Sequence, residues 1–461
     1  MTRASSNTKL SIFICSLLSM GFFSCKKFVE IPPPQNQLQT ANVFTNDATA
    51  TATVTGMYAN MFINGFASGN SQSITLLSGL SADEYINFGG SGYIEFVNNN
   101  LSATNLALGG IWNGLYQTIY ASNATMEGLK GAKGMSDSVR QQLTGEATFI
   151  RAFCYFYATN LFGDVPLNLT TNYQTNAATS RTPSSLVYNQ IVADLTDAQS
   201  KLSSDFSYSN GERVRPNKWA ATSLLARVYL YQQKWDSAEA QSTAVINNST
   251  LFGLTGLDSV FLANSSEAIW QLLPLSPGNN TNEGQMFILT APPTLVALSS
   301  YVTNAFELGD SRLDHWVGNF SNGSNNWNFP YKYKVHAGSV LTEYSMVLRL
   351  AEQYLIRAEA RAELNTNILG AQNDLNIIRT RAGLPNTSAN DQTSLLSAIA
   401  HERQVELFSE WGHRWLDLIR TGQADAILGT EKPGWKATAK LYPIPAQEIQ
   451  NNPKSTQNAG Y

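Results

Sequence analysis

The sequence predicts an all-α protein in which paired helices form a scaffold that two long irregular insertions interrupt. Apolar residues recur with a helical period through most of the chain. That period is lost in a first insertion, residues 64–105, except briefly at residues 74–80. It is lost again in a second insertion, residues 251–342, and Gly, Ser and Asn are frequent in both. An Ala-x-x-Tyr core also occurs three times, at residues 152–155, 226–229 and 351–354. We therefore expect residues 41–461 to form a single domain.

The repeated core is typical of tetratricopeptide (TPR) hairpins, in which two antiparallel helices pack closely. The small residue lets the partner helix approach, and the aromatic residue one turn later fills the space beside it. The clearest pair lies at residues 217–247, with its turn at Lys234 and Trp235. The cores do not follow a fixed period, so insertions must separate the hairpins.

The stretch at residues 146–162 predicts the central helix. Apolar residues occupy one stripe of it, and Phe149, Phe153 and Phe156 cover much of the remaining surface. A helix that is apolar nearly all round is buried, so other elements must pack on both sides of it. Gly163 can adopt the left-handed conformation that ends a helix, and Pro166 prevents the helix from resuming.

The other helices are predicted, in chain order, at residues 41–63, 107–129, 184–202, 346–364, 371–382 and 391–410. Short apolar runs at 268–273 and 286–289 fit strands and short helices equally well. Because binding sites form where loops are held on a rigid scaffold, we expect the two insertions to gather on one side of the molecule.

Charged residues are scarce, which restricts the possible partners. They make up 14% of the chain, against about 25% in an average soluble protein. The polar surface must therefore consist mostly of Asn, Gln, Ser and Thr, as suits an exported protein that meets neutral polar ligands. The net charge of −4 provides no basic surface for nucleic acid.

The N-terminus predicts export and lipid anchoring. Arg3 and Lys9 precede a short apolar run, and the segment 1–24 is too short for a membrane span but fits a signal peptide. It ends before Cys25, which we expect to be lipidated, with residues 25–40 as anchor and tether. The alternative is an ordinary signal peptide cleaved elsewhere. Cys154 would remain as an inert core residue.

The sequence carries no enzyme motif of the common kinds. His-Glu-x-x-His, Gly-x-Ser-x-Gly, a Walker loop and Cys-x-x-Cys are all absent. The four histidines show no metal spacing, so we predict neither a metal nor a cofactor. Asp83 with Glu84, and Asp310 with Asp314, leave a glycosidase open, since such enzymes need two carboxylates. Carboxylate pairs are common, however, and the prediction is a protein that is not an enzyme.

Aromatic and amide residues are interleaved in both insertions, and this pattern suits a sugar. A flat ring can cover the apolar face of a sugar, and amides can donate to and accept from its hydroxyl groups. Trp327 lies between two asparagines, so it is the aromatic residue we expect to be exposed. The predicted ligand-binding residues are Trp316, Asn326 and Trp327 in the second insertion and Tyr85, Asn87, Phe88 and Tyr93 in the first.

The motif GEATFIRAFCYFYATNLFGDVPL at residues 145–167 resembles the signature of the SusD/RagB family of outer-membrane nutrient-binding lipoproteins from Bacteroidetes-type bacteria. Other matching segments are 347–360, 376–384, Glu402-Arg403-x-x-Glu406 with 412–417, 442–445 and 451–461. Gln404 and Leu416 depart mildly from the family pattern. The resemblance implies TPR-type helical pairs with irregular binding loops and an anchor through Cys25. It also implies a SusC-like TonB-dependent transporter as partner, above which the protein acts as a lid on the outer membrane, facing the exterior.

The matching motifs belong to the scaffold, so the resemblance assigns no ligand contact. We favour a lipoprotein that captures an oligosaccharide or polysaccharide and delivers it to the transporter. The leading alternative is a peptide-binding lid of the same kind of complex, which would rely less on an exposed Trp. A TPR adaptor without a ligand in its loops is a third possibility.

Overall fold

The structure, a computed structural model, describes residues 43–63, 65–275, 278–432 and 434–461. Phe44–Tyr461 forms one compact unit. The expected signal peptide, Cys25 and the tether lie outside the described residues. No helix within the described ranges is both long and apolar enough to cross a membrane.

Helices dominate the described chain, as predicted. They are α1 (Asp47–Ile63), α2 (Ile74–Ser81), α3 (Ser91–Val97), α4 (Leu106–Gly131), α5 (Asp137–Phe162), α6 (Tyr173–Asn176), α7 (Ser184–Lys201), α8 (Lys218–Tyr231), α9 (Trp235–Ile246), α10 (Asn282–Phe287), α11 (Ser300–Thr303), α12 (Ser311–Trp316), α13 (Leu350–Leu364), α14 (Ile368–Arg381), α15 (Gln392–Glu406), α16 (His413–Arg420), α17 (Ala424–Glu431) and α18 (Ala446–Asn451). Short 3₁₀ helices lie at Ser207–Ser209, Leu257–Ser259 and Ala437–Lys440.

Strands form short antiparallel pairs rather than a continuous sheet. They are β1 (Tyr85–Asn87), β2 (Val165–Pro166), β3 (Arg181–Thr182), β4 (Ala268–Leu272), β5 (Val296–Leu298), β6 (Val317–Ser321), β7 (Asn326–Pro330) and β8 (Ser345–Arg349). The pairs are β1 with β5, β2 with β3, β4 with β8 and β6 with β7. Two of these pairs, β1–β5 and β6–β7, lie in or between the insertions.

The long helices pack side by side in the order α4, α5, α7, α8, α9, α13 and α14, and α15 packs on α13. The pairs α8–α9 and α13–α14 are the hairpins that the Ala-x-x-Tyr cores indicated. Ala226 and Ala360 meet in the buried contact between the two hairpins. The predicted helical scaffold is confirmed.

Helix α5 is the buried centre of this scaffold. Phe149, Phe153 and Phe156 are fully buried, and the Phe153 ring lies 5.4 Å from Trp270 and 5.3 Å from Trp411, centroid to centroid. The helix ends as predicted, because Gly163 has φ of +74° and its N–H donates to the Thr159 carbonyl. Its start was missed, since α5 begins nine residues earlier than the apolar stretch, at Asp137.

Two local predictions were wrong. Residues 346–349 were assigned to a helix but form part of β8, because they pair with β4 across the core. The first insertion was expected to be loop apart from one short helix, yet it also contains α3 and β1. Both cases depend on pairing with distant residues, which a local apolar period does not reveal.

Charged residues of the C-terminal segment form buried ion pairs. Arg312 Nη1 lies 2.6 Å from Glu402 and 2.9 Å from Glu406, and Arg349 Nη1 lies 2.5 Å from Glu406. Lys332 Nζ lies 2.5 Å from Glu410. We call the buried group the ionic cluster; it comprises Glu267, Asp310, Arg312, Lys332, Arg349, Arg381, Glu402, Glu406 and Glu410.

The ionic cluster fastens the second insertion to the helical scaffold. Arg312 and Lys332 belong to the insertion, whereas Glu406 lies on α15 and Arg381 on α14. Burial lowers the pKa of Lys332 to about 8 even though Glu410 favours its charged form. Burial alone would raise the pKa of Glu406, but its three arginine neighbours outweigh this and hold that pKa well below its usual range.

Candidate ligand-binding site

A β-hairpin in the second insertion lies between Arg312 and Lys332, two members of the ionic cluster. Strand β6 follows α12 without a break, and β6 pairs with β7 so that Phe320 lies opposite Trp327 and Asn319 opposite Asn328. Asn322 shapes the turn, because its Oδ1 accepts the backbone N–H groups of Ser324 and Asn325 at 3.1 and 2.9 Å. The hairpin is thus a short, internally hydrogen-bonded projection.

The two faces of the hairpin carry different chemistry, because side chains alternate along a strand. On one face the Phe320 and Trp327 rings stack, with centroids 6.2 Å apart and an interplanar angle of 27°. On the other face Asn319 Nδ2 donates to Asn328 Oδ1 at 3.0 Å. We call the Phe320–Trp327 pair with its flanking amides the hairpin platform.

Gly318 explains how the hairpin is supported on its aromatic side. A Cβ atom at this position would lie 2.3 Å from the Phe329 ring, so only glycine lets that ring cover the opposite strand. Phe329 in turn meets Tyr331 edge to face at 5.8 Å. The Tyr331 N–H donates to the Trp316 carbonyl at 2.7 Å, which closes the hairpin at its base.

Strand β5 brings the first insertion to the same region. It pairs with β1, and it also lies beside β7. The Phe88 and Gly89 N–H groups both donate to the Leu295 carbonyl, at 2.7 and 3.1 Å. The two insertions therefore contact each other through β1 and β5.

Five of the predicted ligand-binding residues reach the surface in this region. Phe88 is 40% exposed, Asn326 is exposed, and Asn87, Tyr93 and Trp327 are half-buried. The Tyr93 hydroxyl donates to the Ser71 carbonyl at 3.2 Å, and Asn87 Oδ1 accepts the Gly89 N–H. These side chains have the accessible surface that ligand binding requires. Their role in binding remains a prediction.

Trp316 does not lie on the binding surface, contrary to prediction. It is 0% exposed, and its indole N–H donates to the Leu257 carbonyl at 3.0 Å. Lys332 Nζ lies 4.8 Å from its ring centroid, and the guanidinium carbons of Arg349 and Arg381 lie within 6 Å. The buried Trp316 ring therefore lies where its π face can offset positive charge in the ionic cluster.

Tyr85 was also predicted to contact ligand and is instead buried, at 5% exposure. Its ring stacks on Phe287 with centroids 5.5 Å apart, and Gly79 leaves room for it on the other side. Burial raises the pKa of Tyr85 well above its ordinary value. The residue anchors β1 rather than facing solvent.

Three of the four carboxylates considered for glycoside hydrolysis have structural partners, and the fourth, Asp314, is exposed. Asp83 accepts from Arg414, with the closest contact at 2.5 Å, and Asp310 is paired with Arg312 in the ionic cluster. Glu84 accepts the Ser409 N–H, and burial raises the pKa of Glu84 to about 8. Across the described part of the chain, no group of three or more His, Cys, Asp or Glu residues could hold a metal ion.

Phe320 and Asn319 were not among the predicted ligand-binding residues. Both lie across the hairpin from residues that were considered, so only the pairing register brings them into the site. The signal was present but weak: two alternating runs separated by Asn-Gly-Ser-Asn, which favours a turn.

Two sequence profiles match the chain. The profile of the SusD family matches residues 316–461, and one described as "starch-binding associating with outer membrane" matches residues 35–230. The chain belongs to the SusD/RagB family. The resemblance seen in the sequence motifs is therefore confirmed, and the matched ranges include α5 and six of the nine residues of the ionic cluster.

Relatives of this SusD/RagB-family chain match over much of its length. It is 27% identical to a SusD-like protein of Formosa agariphila, over 78% of this chain and 81% of that protein. It is 33% identical to the starch-binding protein SusD of Bacteroides thetaiotaomicron, but over only 25% of this chain and 21% of that protein.

Solved structures share the fold. A laminarin-binding SusD-like protein superposes with a TM-score of 0.77 at 25% identity, covering 91% of this chain and 100% of that one. A SusD superfamily protein of Bacteroides vulgatus has the same TM-score at 21% identity, covering 90% of this chain and 99% of that one. The similarity to the Bacteroides vulgatus structure, at 21% identity, supports only the fold.

Proposed function

We propose that the protein binds a neutral oligosaccharide or polysaccharide at the cell surface, without catalysis, through the hairpin platform. The observation that carries this proposal is the stacked Phe320–Trp327 pair, which backs onto an Asn319–Asn328 amide pair on a projecting hairpin. Aromatic rings cover the apolar face of a sugar, so the ring pair on this face of the hairpin carries the proposed contact. The ionic cluster holds the hairpin base, so little order has to be gained on binding.

Relatives support this class of ligand. The similar structure noted above binds laminarin, and the Bacteroides thetaiotaomicron relative binds starch, as their names state. Phe88, Asn87, Tyr93 and Asn326 would extend the contact from the platform toward the first insertion. A sugar chain lying across β5 would meet both groups of residues.

Delivery to a SusC-like TonB-dependent transporter and anchoring of the protein to the outer membrane through Cys25 complete the proposal. Both rest on family membership and on the N-terminal sequence. Co-purification from detergent-solubilised membranes tests the partnership, because a stable complex would retain the transporter. Recovery of the protein alone would argue against that step while leaving sugar binding intact.

Affinity electrophoresis tests the ligand class. Lipid-free protein, residues 26–461, would be run through native gels cast with laminarin, starch, xylan or mannan. We expect at least one polysaccharide to retard it. Absence of retardation in all gels, together with binding to a peptide library, would replace the glycan with the peptide alternative.

A further inference from the structure

We propose that the protein has a second carbohydrate-binding site, for one or two units of a neutral glycan, in a pocket along helix α4. The pocket has a volume of about 450 Å³, within the usual range of roughly 300–1,000 Å³ for small-molecule sites. Its walls come from α4, from residues 168–177 and from α18. We call it the α4 pocket.

An aromatic stripe forms the floor of the α4 pocket. Trp112, Tyr116 and Tyr120 are four residues apart on one helix, so their side chains lie on one face, spread over about 12 Å along the axis. The Trp112 and Tyr116 rings are 4.7 Å apart at 31°, and the Tyr116 hydroxyl donates to the Pro166 carbonyl at 2.8 Å. Tyr120 is 53% exposed and has no such restraint. The floor thus combines two fixed rings with one accessible ring.

Amide groups surround this floor, and the side-chain oxygens of two of them can still accept hydrogen bonds. Asn168 Oδ1 and Asn176 Oδ1 are buried and accept no hydrogen bond from any described residue. Asn176 Nδ2 donates to the Thr170 carbonyl at 2.7 Å, which fixes the orientation of that amide. A buried acceptor without a donor is costly, so a ligand that brings donors gains from binding here. Hydroxyl groups are such donors.

Glu448 on α18 supplies a charged acceptor at the opposite wall. Its Oε1 accepts from Asn452 Nδ2 at 3.4 Å, and the carboxylate also interacts with the Trp112 side chain. The described residues that line the pocket include no Lys or Arg. An anionic ligand would meet a carboxylate without a compensating cation, whereas a neutral polyol would use it as an acceptor.

The α4 pocket shares no residue with the hairpin platform. Its lining comes from α4, residues 168–177 and α18, whereas the platform is built from β6 and β7, beside β5. The inference therefore goes beyond the proposed function and does not depend on it. Two weak sites on one chain would raise the apparent affinity for a polymer that can reach both.

The test uses lipid-free protein carrying Phe320→Ala and Trp327→Ala, which removes the platform. Ligand-observed NMR would measure binding of laminaribiose, maltose, cellobiose and mannobiose. We expect at least one disaccharide to bind, and we expect adding Tyr120→Ala or Glu448→Gln to weaken binding about tenfold. Tyr173→Ala is the matched control, because that exposed tyrosine belongs to the same 168–177 segment but is not itself one of the residues that line the pocket.

The outcomes separate cleanly. Loss in either pocket variant with an unchanged control supports the site, provided that thermal melts show the variants folded. No binding of any disaccharide to the platform variant overturns the proposal, as does binding that survives both pocket changes or falls equally in the control. The difference in retardation between the wild-type protein and the platform variant in polysaccharide gels reports on the platform separately, so the two proposals can fail independently.

Discussion

Replacing Glu406 by Gln tests whether the ionic cluster holds the second insertion in place. This carboxylate lies within 2.9 Å of both Arg312 and Arg349 and also contacts Arg381, and none of these four side chains is more than slightly exposed. The substitution keeps the shape of the side chain and removes its charge. The three buried guanidinium groups of Arg312, Arg349 and Arg381 then lose the negative charge of Glu406, which offsets their own positive charge.

The magnitude follows from the cost of leaving a buried charge without its partner. Breaking a buried ion pair from one side costs about 3–5 kcal/mol. The pKa of Glu406 lies below its unfolded value, so its stabilising effect is present above the unfolded pKa and is lost only as the pH falls through the folded pKa. We therefore expect the free energy of unfolding to drop by about 3–5 kcal/mol at pH 7.

Urea unfolding followed by tryptophan fluorescence measures this change. Asp197→Asn is the matched control, since Asp197 pairs with Lys201 at 2.5 Å with both side chains about one third exposed. That control should cost at most about 1 kcal/mol. A Glu406→Gln protein within 1 kcal/mol of wild type would refute the reasoning, because it would show that the cluster tolerates loss of its central charge.

Three further predictions concern other parts of the molecule. Burial raises the pKa of Glu84 to about 8, so the folded protein holds this proton more tightly than the unfolded chain does. The resulting contribution to stability is fully present below the unfolded pKa and is lost as the pH rises through 8. Glu84→Gln should therefore gain about 3 kcal/mol relative to wild type between pH 5 and pH 8 in urea unfolding; parallel curves would contradict this. Gly318→Ala should lower the free energy of unfolding by about 1–3 kcal/mol and weaken glycan binding, because the new Cβ meets the Phe329 ring. Ser321→Ala, at an exposed position of the same strand, should be nearly neutral. Equal effects of the two substitutions would be evidence against the packing argument. Cys25→Ala should move the protein from the membrane fraction to the soluble fraction on cell fractionation, and continued membrane association would disprove the lipid anchor.

The scaffold could be predicted from sequence because its signals are local. The apolar stripe of α5 and the Gly163 stop both act within a few residues, and both are present in the structure. The start of α5 was missed because residues 137–145 are more polar and become helical in continuity with the buried part. The capping of α15 by Asp391 was similarly readable from the sequence.

The ionic cluster could be predicted only in part. Glu402, Glu406 and Glu410 are four residues apart, so one charged stripe was foreseeable. Their partners Arg312 and Arg349 lie more than 50 residues away in the chain. No local pattern connects such residues, and the cluster follows from how the insertion folds back on the scaffold.

The two tryptophans of the second insertion show the same limit. Trp327 is flanked by asparagines on a turn-linked strand, and this local context gives it accessible surface. Trp316 is six residues before the turn, and its ring is buried against Lys332, Arg349 and Arg381, which lie 16 or more residues away in the chain. Local composition indicates exposure only where no long-range charge competes for the ring.

The most direct test of the central claim is the affinity of the Trp327→Ala protein for the polysaccharide that retards the wild type. Isothermal titration would compare it with Trp219→Ala, a half-buried tryptophan on the scaffold whose indole N–H donates to Ser204. We predict that Trp327→Ala weakens binding by about tenfold or more, whereas Trp219→Ala leaves it unchanged. Equal affinity in wild type and Trp327→Ala would contradict the hairpin platform as the glycan site.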